Sequence, residues 1–169
     1  IGELTPTEKP NVEAPSNEKY NEILNKNGAE ITFSPETNPD DAEYSWPFIE
    51  AEKNGVVCVK PSNYDKDQSY AILRTKVTLK AGEAVMFDYF ASSQYGYDVM
   101  YVIVEDQDIY TISGQSSKWN ECCPWVAKKD GVYDVSLVYQ KDYADYEGED
   151  TVYVSNFRVV DKDEVGVES

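Results

Sequence analysis

The chain has no histidine and only three cysteines among its 169 residues. The missing histidine excludes nucleophiles of the Ser-His and Cys-His kinds and any histidine general base. A zinc site would need carboxylates beside the cysteines, which is uncommon for structural zinc. A carboxylate pair of the glycosidase kind stays open, but chance pairs are expected among 32 acidic residues. The sequence therefore predicts a protein that is not an enzyme.

Basic residues are also scarce, since 15 Lys and Arg stand against 32 Asp and Glu, for a net charge of −17. Nucleic acids and anionic membranes bind through clustered cations, so neither is an expected partner. The charge is typical of an extracellular surface that stays soluble. Calcium binding by a few of the carboxylates is the alternative interpretation.

No apolar run approaches the roughly 20 residues that cross a membrane as a helix. No basic segment followed by an apolar one stands at the start, so we expect any signal peptide to have been removed. We predict a monomer that is secreted or held at the cell surface, without membrane insertion.

The chain divides into three parts by composition. Residues 1–19 are rich in Pro, Glu, Asn and Thr and predict a linker or extended arm. Residues 20–160 are predicted to form one binding domain, which begins with a short helical turn at Tyr20–Asn25. Residues 161–169 are predicted to form a charged linker leading to a neighbouring module of the same polypeptide.

From Ala29 onward, short apolar segments alternate with turn signals, and no helix of ten or more residues is expected. Within Ser69–Leu79, alternate residues from Ala71 onward form an apolar face, which indicates a half-buried strand. Pro47 predicts an edge or bulged strand. Val85–Ala91 and Val99–Val104 are apolar on both faces and are therefore predicted to be central strands. The full set of predicted strands is Ala29–Phe33, Tyr44–Glu50, Gly55–Lys60, Ser69–Leu79, Val85–Ala91, Val99–Val104, Ile109–Ser113, Val132–Gln140 and Thr151–Val160. Such spacing predicts a sandwich or a barrel.

Two stretches, Ser62–Val104 and Ser113–Val159, carry a family resemblance. The matching elements are Leu79–Gly82, Phe87–Tyr89, Ser92–Gln94, Tyr97–Asp98, Ser113–Gln115, Trp119, Gly131, Tyr139–Asp142, Gly148–Asp150 and Tyr153–Asn156. Together they resemble the cleaved-adhesin and MAM-like jelly-roll domains of bacterial cell-surface proteins. Ser155 and Gln94 depart from the family pattern, which has Asp and Glu at these positions, so a family calcium site is put in doubt.

The resemblance implies an all-β, jelly-roll β-sandwich of two antiparallel sheets with an extended N-terminal arm. It implies adhesion or carbohydrate binding, and it extends to starch-binding surface modules of gut anaerobes. We therefore expect a non-catalytic carbohydrate-binding module for an α-glucan, with a protein-binding or host-adhesion module as the alternative. A structural spacer and a glycoside hydrolase are further alternatives.

The segment Lys118–Trp125 (KWNECCPW) is the most unusual feature, because it holds two of the three Trp and two of the three Cys residues. Indole rings stack on the flat faces of sugars, so Trp119 and Trp125 are either ligand platforms or core residues. Cys122 and Cys123 are predicted to form a strained vicinal disulfide. A bond from Cys58 to either of them, or no bond at all, is the alternative.

Tyrosines on two loops complete the predicted site. It combines Trp119, Asn120, Cys122, Cys123 and Trp125 with three loop tyrosines, namely Tyr95, Tyr97 and Tyr143. An acidic loop offers Asp142, Asp145 and Asp150 as calcium ligands, against the plainer interpretation of a solvated loop. The predicted partner is a polysaccharide or oligosaccharide.

Overall fold

The computed structural model describes residues 8–26, 28–34, 44–142 and 148–165. Its helices are α1 (Asn17–Leu24) and α2 (Lys162–Val165). Its strands are β1 (Ile31–Ser34), β2 (Ser45–Lys53), β3 (Val56–Pro61), β4 (Tyr70–Leu79), β5 (Glu83–Ser92), β6 (Val99–Val104), β7 (Gln107–Ile112), β8 (Asn120–Cys122), β9 (Gly131–Gln140) and β10 (Thr151–Asp161). No helix in the described part of the chain is long and apolar enough to span a membrane.

The chain folds as an all-β jelly-roll sandwich. Nine strands follow the path β7-β6-β9-β4-β2-β3-β10-β5-β8, and β1 pairs with β4 beside it. The pairs are antiparallel except for a short parallel contact between β2 and β4. Because the path turns back at β2, the edge strands β7 and β8 both lie on the side away from β2. The two layers are therefore joined at one side and open at the other.

Strand β2 belongs to both layers. Ser45–Pro47 pair with β4 in the first layer, and the pairing with β3 in the second layer starts at Phe48. The missing N–H of Pro47 falls where the strand leaves one layer for the other, so the proline costs little pairing there. The sequence predicts an edge or bulged strand at Pro47. Strand β2 lies between β4 and β3 in the strand order, and each of its two parts pairs with a strand on one side only.

The core fills the space between the layers. In β4 the alternate residues Ala71, Leu73, Thr75, Val77 and Leu79 are all buried, which confirms the period-two prediction. The central placement of β5 and β6 is also confirmed, because each has a neighbour on both sides. Aromatic rings dominate the middle of the core, where Phe157 stacks on Phe87 at 5.1 Å and meets Phe33 edge-on at 5.4 Å.

Helix α1 packs against β1, β3 and β10. Ser16 caps its N-terminus by accepting a hydrogen bond from the Lys19 N–H at 3.1 Å. Buried Tyr20 donates a hydrogen bond from its hydroxyl to the Phe48 carbonyl at 2.5 Å. The predicted helical turn is therefore confirmed, with a start three residues earlier than expected.

Candidate functional site

An open groove of about 450 Å³ lies beside the edge strand β7. It is bounded by β5 in one layer and by β6 and β7 in the other, so it lies on the open side of the sandwich. The described residues that line it are Tyr89, Tyr95, Gly96, Val99, Tyr101, Tyr110, Thr111, Ile112 and Ser113. Four of the nine are tyrosines, and none carries a charged side chain.

The four tyrosines reach the groove from different elements. Tyr89 on β5 packs partly against the main core, and burial, with Tyr110 nearby, raises the pKa of its hydroxyl. Tyr101 and Tyr110 come from β6 and β7, and Tyr110 is 46% exposed. Tyr95, in the β5–β6 loop, is 78% exposed. Each ring thus offers apolar surface together with a hydroxyl group.

The β5–β6 loop is held against the segment that follows β7. The Gly96 N–H donates to Ser113 Oγ at 3.1 Å, and the Ser93 N–H donates to the Gly114 carbonyl at 2.8 Å. Gly114 has φ +95°, and a Cβ there would lie 3.4 Å from Tyr95 Cδ2. Because glycine adopts this backbone without strain, the Tyr95 ring can pack closely against it.

The loop ends in a buried charged cluster. The Lys141 ammonium group lies 2.5 Å from Asp150 Oδ1 and 3.3 Å from Asp98 Oδ2, and all three side chains are buried. The Tyr139 hydroxyl donates to Asp150 at 3.1 Å. Burial raises the pKa of Asp98 to about 6, although the attraction of Lys141 opposes this shift.

Trp119 lies outside the groove, on the outer face of the second layer. Its ring meets Phe90 edge-on at 6.0 Å, and its Nε1–H donates to the Lys53 carbonyl at 3.3 Å. It packs against a small cluster of Cys58, Phe90 and Tyr153. The structure therefore places Trp119 in a secondary hydrophobic cluster.

Trp125 lies elsewhere again. Its ring meets Tyr133 edge-on at 4.8 Å and packs against the main core. Cys122 is buried opposite Phe87 in the β5–β8 pair, which raises its pKa to about 12, and Cys123 is half-buried. In place of the predicted Cys122–Cys123 disulfide, the structure has Cys58, Cys122 and Cys123 as free cysteines.

The remaining predicted residues are also scattered. Asn120 donates to the Lys118 carbonyl at 2.8 Å in a local turn. Tyr97 is 64% exposed but does not line the groove. Tyr143 and Asp145 lie outside the described residues. Among the predicted site residues that the structure describes, Tyr95 is the one that lines the groove.

Among the predicted calcium ligands, the Asp150 carboxylate is held by protein groups, and Asp142 contributes its backbone N–H to the same cluster. Asp150 accepts hydrogen bonds from Lys141 and Tyr139, and the Asp142 N–H donates to Asp98 Oδ1 at 3.2 Å. Within the described ranges, no group of three or more Cys, Asp and Glu side chains is placed to hold a metal ion.

Sequence reasoning missed Tyr89, Tyr101 and Tyr110. All three lie within or beside segments predicted as strands, where tyrosine is an ordinary residue. Their only signal is tyrosine abundance, with 14 copies in the chain. The pairing order of the strands, which brings β5 close to β7, cannot be read from that abundance.

No protein-family model matches the chain, so the resemblance to cleaved-adhesin and MAM-like domains is not confirmed. The comparison with curated proteins finds no match either. Solved structures do match. The secreted serine protease VesC from Vibrio cholerae superimposes with a TM-score of 0.52 and 14% identity, over 87% of this chain and 27% of the protease.

Carbohydrate-binding modules are also among the structural neighbours. A family 16 module matches with a TM-score of 0.44 and 16% identity, over 79% of this chain and 87% of the module. TmCBM27, a module with specific mannan recognition, matches with a TM-score of 0.39 and 12% identity, over 94% of this chain and 98% of the module. At such low identities, a structural likeness concerns the fold alone and assigns no ligand.

Proposed function

We propose that this chain is a non-catalytic carbohydrate-binding module that holds a neutral glycan in the tyrosine groove. The observation that carries the proposal is the lining of the groove. Four tyrosines and no charged side chain meet there, in a protein with 28% charged residues and a net charge of −17. An uncharged, aromatic concave surface is therefore a local exception to the composition of the protein.

The lining suits a sugar in two ways. Phenol rings present apolar surface to the C–H faces of a pyranose, while their hydroxyls exchange hydrogen bonds with sugar hydroxyls. Thr111 and Ser113 add two further hydroxyl groups. The groove thus combines aromatic rings with several hydroxyl groups, and sites for small ligands use aromatic side chains for contact area and placed polar groups for orientation.

The groove lining offers no carboxyl group for catalysis. Glycoside hydrolysis uses two carboxyl groups about 5–9.5 Å apart across the scissile bond, and the nine lining residues contain none. We therefore propose binding without turnover, in a secreted or surface-held protein. Among neutral glycans, an α-glucan of the starch type is our first choice, on the sequence resemblance alone.

The test is binding of the protein to a panel of soluble oligosaccharides, measured by isothermal titration calorimetry. The panel holds maltoheptaose, xylohexaose, mannohexaose and β-1,4-galactotetraose. We expect one class of oligosaccharide to bind. Tyr110→Ala and Tyr95→Ala should each raise the Kd for that oligosaccharide at least about tenfold, which corresponds to about 1.4 kcal/mol of binding free energy. The reason is that each variant removes one ring from the groove wall.

Tyr64→Ala is the matched control, because Tyr64 is 44% exposed, much like Tyr110, and lies outside the groove lining. Its Kd should stay within about twofold of the wild-type value. An unchanged Kd in both groove variants would show that the glycan binds at another site. Absence of binding to every glycan would favour the protein-adhesion or spacer alternatives.

A further inference from the structure

The β5–β6 loop has a second attachment behind the groove. Its first and last residues, Ser93 and Asp98, are both fully buried, whereas Tyr95 and Tyr97 between them are exposed. Ser93 Oγ donates to the Asp98 carbonyl at 2.9 Å, which closes the base of the loop. The position of Tyr95 thus depends on how firmly these two ends are held.

Asp98 is held by Lys141 and Asp142, the two residues that follow β9. Its Oδ1 accepts a hydrogen bond from the Asp142 N–H at 3.2 Å, and its Oδ2 contacts the Lys141 ammonium group at 3.3 Å. Lys141 is fully buried and also contacts Asp150. Asp150 in turn accepts from the Asp65 N–H at 2.5 Å, which adds the β3–β4 connection to the same cluster.

We propose that Lys141 is a positioning residue for the groove, whose buried ammonium group holds Asp98 and thereby keeps the β5–β6 loop and Tyr95 in place. This inference rests on the proposed function, because it concerns affinity at the same groove. Lys141 does not line the groove, so it acts through Asp98.

The electrostatics of the cluster give the reason. Asp98 and Asp150 are two buried carboxyl groups that share one ammonium group, and Tyr139 also faces them. Removing the ammonium group leaves buried negative charge without its cation, which is strongly unfavourable. Of the two carboxylates that contact Lys141, Asp98 lies at the end of the β5–β6 loop. Opening of this loop would expose the Asp98 carboxylate to water. Burial already raises the Asp98 pKa to about 6, and loss of Lys141 would raise it further.

The experiment measures amide hydrogen exchange of Gln94–Asp98 and, separately, the Kd of the glycan that binds. In Lys141→Met at pH 7.5 we expect the loop amides to exchange at least about tenfold faster, after correction for global stability, and the Kd to rise at least about tenfold. Both changes should shrink at pH 5.5, where Asp98 is protonated. In the double variant Lys141→Met/Asp98→Asn, the loop amides should return towards wild-type exchange at both pH values, because no charged Asp98 remains.

Lys53→Met is the matched control. Lys53 is also in an ion pair, with Glu149 at 2.6 Å, but it has no contact with the loop. Equal loop exchange in the Lys141→Met and Lys53→Met proteins would overturn the inference. So would faster loop exchange with an unchanged Kd, because the loop would then not govern affinity.

Hydrogen exchange also keeps the two proposals separate. If the wild-type protein binds no glycan, the proposed function fails, and the exchange results still decide whether Lys141 positions the loop. If Lys141→Met does not fold, Asp98→Ala replaces it. This variant frees the loop while leaving Lys141 paired with Asp150, so unchanged loop exchange in it would overturn the inference.

Discussion

At Gly148 a larger side chain would meet the side chains of Ser92 and Gln115. It has φ +61°, and a Cβ there would lie 2.5 Å from Ser92 Oγ and 2.7 Å from Gln115 Nε2. Ser92 Oγ also accepts the Glu149 N–H at 2.9 Å. The close approach joins the start of β10 to the end of β5, just behind the β5–β6 loop.

We expect Gly148→Ala to lower the free energy of unfolding more than Gly55→Ala, as measured by urea denaturation. Gly55 has φ +80° but open space around it, so its variant should show the backbone cost alone, about 1–2 kcal/mol. The additional loss in Gly148→Ala, about 1 kcal/mol or more, reports the clash. Equal losses would mean that Ser92 and Gln115 move aside without cost.

Trp119, Trp125 and Tyr95 show how far the type of a residue and its sequence neighbours predict its position in the fold. Trp119 and Trp125 are only six positions apart, yet one ring packs on the outer face of a sheet and the other against the main core. The KWNECCPW segment marks these residues by composition, but the pairing of β8 with β5 decides where they point. Tyr95 was predictable because it flanks a glycine in a loop, which favours exposure.

Strands were the most predictable elements, for a physical reason. Each predicted strand overlaps an observed one, because half-buried and central strands leave period-two or continuous apolar patterns. Strand β8 was missed, since three residues are too few to show a pattern. The switch of β2 between layers was missed as well, because Pro47 has the same sequence signature at an edge and at a switch point.

Strand β10 contributes the central ring of the core. Phe157 is fully buried, contacts Phe33 and Phe87, and lies within the irregularity of the β5–β10 register between Ser155 and Arg158. We expect Phe157→Ala to lower the free energy of unfolding by about 3–5 kcal/mol, since it removes a ring from a packed interior.

Chemical denaturation checks this value, with Val132→Ala as the control. Val132 is 63% exposed on β9, so its variant should change stability by about 0.5 kcal/mol or less. A cost below about 1 kcal/mol for Phe157→Ala would show that the neighbouring rings close the cavity by repacking.

At the scale of the whole molecule, the composition sets the net charge and the strand pattern predicts the fold class. Neither of them predicts the position of the groove. The net charge of −17 and the strand pattern are properties of the chain. The groove is a property of the folded path, because Tyr89 and Tyr110 meet only when the two layers turn back on each other at β2. That relation between distant segments leaves no local trace in the sequence.

The stability of the whole molecule should depend on pH through Asp98. Burial raises the pKa of Asp98 in the folded protein to about 6, above the ordinary value of 3.8, so the folded state takes up this proton more readily than the unfolded state. The Asp98 contribution to stability is therefore greatest below about pH 4 and is lost as the pH rises to about 6. Urea denaturation of the wild-type protein and Asp98→Asn between pH 4 and 7.5 checks this.

The stability difference between the variant and the wild-type protein should shift in favour of Asp98→Asn as the pH rises through this window. Asp106→Asn, at an exposed site, controls for the loss of one negative charge. A difference that stays constant with pH in the Asp98→Asn protein would contradict the assignment of this proton to Asp98.

The turn of the strand path at β2 has a mechanical consequence. In the described part of the chain, strand pairing passes from one layer to the other through β2, and the edge strands β7 and β8 are not paired with each other. We therefore expect these two edges to part first when the molecule is heated or pulled. A glycan seated in the tyrosine groove would contact β5 in one layer and β6 and β7 in the other. The bound ligand would then link the two layers across the open side of the sandwich. The protein with bound polysaccharide should therefore unfold at a higher temperature and a higher force than the protein without it.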